Sequence, residues 1–107
     1  MQTISRDDLK TLIDSRTPHV LLEALPEKYY REGHLPGALQ LDYQETRNLA
    51  PCLAPNRAVP IVVYCASDTC RNSHTAAALL QQLGYQSVHV YQGGKADWSD
   101  AGLHLER

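Results

Sequence analysis

The run Ile61-Val62-Val63-Tyr64 is the most strand-like segment of the chain, because its residues are consecutively apolar and either β-branched or aromatic. A loop of mostly small and polar residues follows it at 65–72. Residues 73–83 are rich in alanine and leucine and are followed by Gly84, which predicts a helix. A strand, a loop and a helix in this order are typical of a parallel α/β unit.

The segments on either side of this unit continue the alternation of strands and helices. Near the N-terminus, Ser5 and Asp8 resemble a capping box that opens a helix, and Pro18 ends it. The alternation favours an α/β fold with a mainly parallel central sheet and helices on both faces, in a single domain over 1–107. The remaining predicted elements are strands at 20–25, 38–41 and 88–91, and helices at 27–32, 43–53 and 96–101, with Gly93-Gly94 as a turn.

The composition is that of an ordinary globular domain and excludes several functions. Of the 107 residues, 43% are hydrophobic and 21% are charged, and the formal net charge is -2. This balanced charge predicts neither a nucleic-acid partner nor a membrane-surface partner. The N-terminus is acidic where a secretory signal needs basic residues, and no apolar run approaches about 20 residues. We therefore expect a cytoplasmic chain that does not span a membrane.

Cys65 stands where parallel α/β sheets bind ligands, at the carboxyl end of a predicted strand. The helix start that follows offers free backbone N–H groups and a positive dipole end, which stabilise an anion. Arg71 is expected to lower the pKa of the Cys65 thiol, although Cys65 could alternatively be a small buried hydrophobic residue. We predict that Cys65 is a nucleophile and that six loop residues bind its substrate, namely Ala66, Ser67, Asp68, Thr69, Cys70 and Arg71.

Other residues with reactive side chains favour structural roles. Three cysteines are an odd number and indicate no disulfide framework, and Cys52 beside Pro51 has no charged environment. His34 is expected to fix a turn by hydrogen bonding, and Trp98 to pack the last helix onto the sheet. Zinc binding is not predicted, because the chain lacks the close Cys-x-x-Cys pairing of common zinc modules. The residues compared with that pattern are Cys65, Cys70, His74 and His89.

Four short motifs occur in the order and spacing found in rhodanese domains. They are Gly33-His34-Leu35-Pro36-Gly37-Ala38, Ile61-Val62-Val63-Tyr64-Cys65, Leu83-Gly84-Tyr85, and Tyr91-Gln92-Gly93-Gly94 continuing through Trp98 to Ala101-Gly102-Leu103. The chain therefore resembles single-domain rhodanese-like thiosulfate sulfurtransferases over nearly its whole length. The resemblance implies a three-layer α/β sandwich and a persulfide on Cys65 that carries sulfur from thiosulfate or a similar small anionic donor. It implies cyanide, a thiol or a partner protein as the acceptor, and no metal or organic cofactor.

Two features depart from the rhodanese pattern. Glu23-Ala24-Leu25 stands where many family members have Asp-Val-Arg, so the usual arginine is absent and we expect a supporting ion pair to be missing. The interval between Cys65 and Leu83-Gly84-Tyr85 is also longer than in typical sulfurtransferases. An enlarged loop of this kind would hold a larger anion.

The loop at 65–72, which we call the cysteine loop, is also compatible with two other functions. The spacing of Cys65 and Arg71, with five residues between them, resembles the pattern of cysteine phosphatases and arsenate reductases. However, Tyr64 stands where those enzymes usually have histidine. One subset of rhodanese-like domains, which this chain resembles most, has a second cysteine and a serine at the places of Cys70 and Ser73. Such a chain could be a non-catalytic binding or redox-sensing module in which Cys65 and Cys70 form a reversible disulfide.

Overall fold

Five parallel strands form the central sheet of the protein, whose computed structural model describes residues 2–107. In chain order they are β1 (Gln2–Thr3), β2 (Val20–Glu23), β3 (Leu39–Gln40), β4 (Ile61–Tyr64) and β5 (Val88–Tyr91). Their spatial order is β1-β5-β4-β2-β3, which places β4 at the centre. Every neighbouring pair is parallel, so the predicted α/β class is confirmed. Met1, part of the predicted domain 1–107, lies outside the described residues.

Helices cover both faces of this sheet. Helix α1 (Arg6–Asp14) begins after Ser5, whose Oγ accepts a hydrogen bond from the Asp8 backbone N–H at 3.1 Å. The other helices are α2 (Glu27–Glu32), α3 (Thr46–Leu53), α4 (Asn72–Gln82) and α5 (Gly94–Asp100), and a 3₁₀ helix at Tyr43–Glu45 precedes α3. Within residues 2–107, none of the helices has the length and apolar character needed to cross a membrane.

Each face of the sheet has its own hydrophobic core, because side chains alternate between the two faces along a strand. Ile61 and Val63 pack with residues of α3 and α4, on what we call the α4 face. Val62 and Tyr64 pack with residues of α1 and α5, on the α5 face. Trp98 of α5 is only 3% exposed there, which confirms its predicted packing role. Strand β4 is thus buried on both sides, and its continuous apolar run follows from that position.

Three elements differ from the sequence prediction. Strand β1 is not predicted, because Gln2 and Thr3 are exposed and lack an apolar alternation. The helix predicted at 43–53 is divided, with 3₁₀ geometry up to Glu45 and α geometry from Thr46. Gly94, predicted to lie in a turn, is the first residue of α5. The last difference brings the start of α5 close to the cysteine loop.

Candidate active site

Cys65 is the first residue after the central strand β4, as the sequence predicts. The residue is buried, with 1% of its surface exposed. Its sulfur lies 3.3 Å from the carbonyl oxygen of Cys70, to which the thiol donates, and 3.4 Å from Oγ of Ser73. Because Ser73 belongs to the first turn of α4, the thiol lies on the α4 face of the sheet.

The loop after Cys65 turns back towards the sulfur. Asp68 and Thr69 form the turn, in which the backbone N–H of Cys70 donates to the carbonyl of Ser67 at 3.1 Å. The side-chain oxygens of Ser67 and Thr69 lie 3.0 Å apart across it. The turn therefore returns Cys70 to the neighbourhood of Cys65. Of the six residues predicted to bind substrate, Ala66, Asp68, Thr69 and Arg71 are exposed, and Ser67 and Cys70 are half-buried.

The N-terminus of α4 provides hydrogen-bond donors beside the sulfur. The first N–H groups of a helix have no intrahelical partner. Arg71, which precedes α4, does not cap them with its side chain. One of them is the backbone N–H of Ser73, whose influence lowers the pKa of the Cys65 thiol. Arg71 is exposed, and among residues 2–107 its guanidinium has no ion-pair partner. The helix N–H groups and this guanidinium are the groups of the loop that suit an anion.

Two backbone hydrogen bonds from helix α5 hold the beginning of the loop in place. The backbone N–H of Lys95 donates to the Cys65 carbonyl at 2.9 Å, and that of Ala96 to the Ala66 carbonyl at 2.8 Å. Gly94 has a φ of +67°, and a Cβ atom there would lie 2.5 Å from the Cys65 carbonyl oxygen. Only glycine fits this position, for both the backbone conformation and the close approach. Sequence reasoning missed this role, because the paired glycines indicate only a turn until the tertiary contact is known.

A buried ion pair supports the end of β4 from the α5 face. Glu23 is 0% exposed, and Nζ of Lys95 lies 3.1 Å from its Oε1. The same carboxylate oxygen accepts a hydrogen bond from the Tyr64 hydroxyl at 2.8 Å, and that hydroxyl accepts from the Leu35 N–H at 3.0 Å. The expectation that an ion pair is missing here is therefore wrong. Lys95 of α5 supplies the cation, in place of the arginine that is absent from Glu23-Ala24-Leu25.

The expected lowering of the Cys65 pKa is also wrong. Burial is the largest influence and raises the pKa of the Cys65 thiol, and the neighbouring Cys70 thiol raises it further. The hydroxyl and the backbone N–H of Ser73 lower this pKa, but their influence is outweighed by burial and Cys70. Arg71 is exposed, and its charge does not offset the rise in the pKa of Cys65. The net effect of these influences favours the protonated thiol over the thiolate in the resting site.

We expect the reactivity of Cys65 to rise with pH through the alkaline range. Because burial raises its pKa, the thiolate fraction at a given pH is smaller than in a free thiol and increases until the pH exceeds the raised value. Alkylation by iodoacetamide at a series of pH values, followed by mass spectrometry of the Cys65 peptide, should give a midpoint above that of N-acetylcysteine. A midpoint equal to or below that of the small thiol would contradict this expectation.

The other residues considered from the sequence form no hydrogen bond to the Cys65 sulfur in the described part of the chain. His34 donates from Nδ1 to the Tyr30 carbonyl at 2.9 Å and stacks on the Tyr30 ring, which confirms its predicted turn-fixing role. Cys52 is exposed on α3. Nε2 of His74 is buried and has no hydrogen-bond partner in the described part of the chain. Over residues 2–107, no group of three His, Cys, Asp or Glu side chains could hold a metal ion.

Comparison with known proteins gives a consistent family. The sequence profile of the family described as "Rhodanese-like domain" matches residues 5–101. A Schizosaccharomyces pombe protein provisionally named a mitochondrial thiosulfate sulfurtransferase is 32% identical, and the match covers 88% of this chain and 66% of that protein. A Mycobacterium leprae protein provisionally named a thiosulfate sulfurtransferase is 31% identical, with 94% of this chain and 42% of the relative covered. The chain thus spans two thirds or less of the length of these relatives.

Solved structures show the same fold. A thiosulfate sulfurtransferase from Pseudomonas aeruginosa superposes with a TM-score of 0.89 at 24% identity, covering 100% of this chain and 20% of that one. A rhodanese-like domain from Anabaena superposes with a TM-score of 0.83 at 23% identity, covering 99% of this chain and 79% of that one. At these identities the likeness concerns the fold alone.

Proposed function

The chain belongs to the rhodanese-like domain family, and on this basis we propose that it is a sulfurtransferase that carries sulfane sulfur on Cys65. The proposed donor is thiosulfate or a similar small anion, and the proposed acceptor is cyanide or a thiol, including a thiol of a partner protein. The observation that carries the proposal is the Cys65 sulfur beside the first turn of α4, at the carboxyl end of the central strand. The names of the two curated relatives support the same type of donor.

In the first half-reaction, the Cys65 thiol loses its proton to solvent and the thiolate attacks the outer sulfur of thiosulfate. A bond forms between the two sulfur atoms, the sulfur–sulfur bond of thiosulfate breaks, and sulfite leaves with the electron pair. Once the thiolate has formed, the hydroxyl and backbone N–H of Ser73 are the donors proposed to stabilise its charge, since both lower the pKa of Cys65. These donors offset part of the burial that disfavours the thiolate.

In the second half-reaction, cyanide or an acceptor thiolate attacks the outer sulfur of the Cys65 persulfide. The new bond forms to that sulfur, the persulfide bond breaks, and Cys65 leaves as the thiolate. Arg71 and the loop N–H groups are proposed to hold the oxyanion of the donor in the first step, since the guanidinium is exposed and forms no ion pair in the part of the chain described, residues 2–107. The chemistry proposed for these steps needs no metal and no organic cofactor.

The proposal is tested by incubating the purified protein with thiosulfate and recording its intact mass without reductant. We expect a gain of one sulfur atom at the earliest times after mixing, and we expect sulfite to be released in an equal amount. Cys65→Ser should neither gain sulfur nor convert thiosulfate and cyanide to thiocyanate.

Cys52→Ser is the matched control for this experiment, because Cys52 is an exposed thiol on α3 outside the loop. It should behave as the wild type in sulfur loading. A gain of sulfur by Cys65→Ser equal to the early gain of the wild type would show that another group is modified and would refute the proposal. If neither protein takes up sulfur but the wild type hydrolyses an aryl phosphate or reduces arsenate, the phosphatase or arsenate reductase alternative would replace it.

A further inference from the structure

Two thiols share the candidate active-site loop, and the fold brings them together. The turn closed by the Cys70 N–H and the Ser67 carbonyl directs the chain back, and the Cys70 carbonyl oxygen lies 3.3 Å from the Cys65 sulfur. The carbonyl group and the Cβ atom of Cys70 are both bonded to the same Cα atom. The side chain of Cys70 is thus attached within a short reach of the Cys65 sulfur.

The two cysteines differ in their access to solvent. Cys65 is 1% exposed, whereas Cys70 is half-buried. The nearby Cys70 thiol also raises the pKa of the Cys65 thiol, as is expected of a second thiol at close range. Cys70 therefore combines a position beside Cys65 with access from the outside of the loop.

We propose that Cys70 is a resolving thiol, which attacks the inner sulfur of the Cys65 persulfide, closes a Cys65–Cys70 disulfide and expels the carried sulfur as sulfide. The inference rests on the proposed function, because it requires a persulfide on Cys65. It adds a further activity to sulfur transfer, namely the reduction of thiosulfate to sulfite and sulfide.

Atoms and electrons balance in this step, in which the loop and the persulfide exchange only protons with solvent. The Cys70 thiol loses its proton to solvent, and its thiolate forms a bond to the sulfur of Cys65. The persulfide bond breaks, and the outer sulfur leaves with the electron pair, takes up a proton from solvent and departs as HS⁻. The Cys70 sulfur is oxidised to the disulfide level as the outer sulfur is reduced to sulfide. A dithiol reductant from outside the chain then reopens the disulfide by thiol–disulfide exchange and is itself oxidised. The partner class implied by the loop is thus a dithiol, small or carried on a protein.

The test is a single-turnover experiment under anaerobic conditions and without reductant. Wild type, Cys70→Ser and Cys52→Ser are each mixed with thiosulfate, quenched with acid at successive times, and assayed for intact mass and released sulfide. We expect the wild type and Cys52→Ser to release one sulfide per chain and to end at a mass lower by two hydrogen atoms. Peptide mapping should locate the disulfide between Cys65 and Cys70.

Cys70→Ser separates this inference from the function on which it rests. It should gain one sulfur atom, keep it, and release no sulfide. A wild type that retains its added sulfur as long as Cys70→Ser does would overturn the resolving role while leaving the persulfide carrier intact. No sulfur uptake by either protein would overturn both proposals. Disulfide formation in an anaerobic sample that lacks thiosulfate would also overturn the resolving role, because direct oxidation would then explain the bond.

Discussion

Replacement of Glu23 by alanine is expected to lower the free energy of unfolding by about 3 kcal/mol. The substitution leaves the Lys95 ammonium without its carboxylate at a side chain that is only 17% exposed, and removal of one partner of a buried ion pair typically costs about 3–5 kcal/mol. We expect a loss of stability at the lower end of this range, because Lys95 retains some contact with solvent. Oε2 of Glu23 also has no hydrogen-bond partner in residues 2–107, so the wild-type carboxylate is not fully satisfied. Urea denaturation followed by circular dichroism measures the difference.

Glu27→Ala is the matched control for this substitution. Glu27 forms an ion pair with Arg31 within α2, with side-chain exposures of 64% and 74%, and such exposed pairs contribute about 0.5 kcal/mol or less. Addition of Lys95→Met to Glu23→Ala should recover part of the lost stability, because it removes the unpaired charge. Equal losses in Glu23→Ala and Glu27→Ala would show that the Glu23–Lys95 pair does not support the fold.

Gly94→Ala is expected to damage both stability and sulfur loading. The left-handed backbone at a φ of +67° costs about 1–2 kcal/mol for a residue with a side chain. The added Cβ would stand 2.5 Å from the Cys65 carbonyl oxygen, so the backbone must shift, at a typical cost of about 1–3 kcal/mol for overpacking. We therefore expect a loss of about 2–5 kcal/mol in all. Because the shift moves Cys65 itself, persulfide formation per folded molecule should slow about 100-fold.

Gly102→Ala separates the two effects. Gly102 has a φ of +79°, but a Cβ atom there would meet nothing within 4 Å. This variant should lose only the conformational part, about 1–2 kcal/mol, and should form the persulfide at the wild-type rate. Thermal unfolding and sulfur uptake corrected for the folded fraction measure both quantities. Equal rates of uptake in Gly94→Ala and the wild type would show that the contact between α5 and the loop does not position Cys65.

Much of the architecture can be predicted from local sequence signals. The apolar run of β4 indicates a strand buried on both sides, and the helix start at Ser5 follows from its capping pattern. The place of Cys65 at the end of β4 follows from the order of strand, loop and helix. These predictions succeed because hydrophobic periodicity and capping act within a few residues of the chain.

The errors concern contacts between segments that are distant in sequence. Lys95 pairs with Glu23 only because the fold brings β2 and α5 together, and no local pattern near Glu23 contains that lysine. The rise in the Cys65 pKa depends on burial by the assembled fold, whereas the sequence shows only the nearby Arg71 charge. Strand β1 forms by pairing with β5 and has too few residues to show an alternation. Tertiary packing therefore decides the electrostatics of the site, and the local sequence does not.

Strand β4 separates a buried ion pair that supports the fold from the proposed site of sulfur transfer, and this separation bears on how the domain can evolve. The Glu23–Lys95 pair lies on the α5 face, whereas the Cys65 sulfur lies beside Ser73 on the α4 face. Asp68 and Thr69 at the tip of the loop are exposed, so their substitution removes no core packing. Mutations at the tip can accumulate at little thermodynamic cost while the scaffold stays unchanged. If the loop binds the acceptor as proposed, new acceptor preferences can arise by drift in the loop without a compensating change elsewhere in the domain.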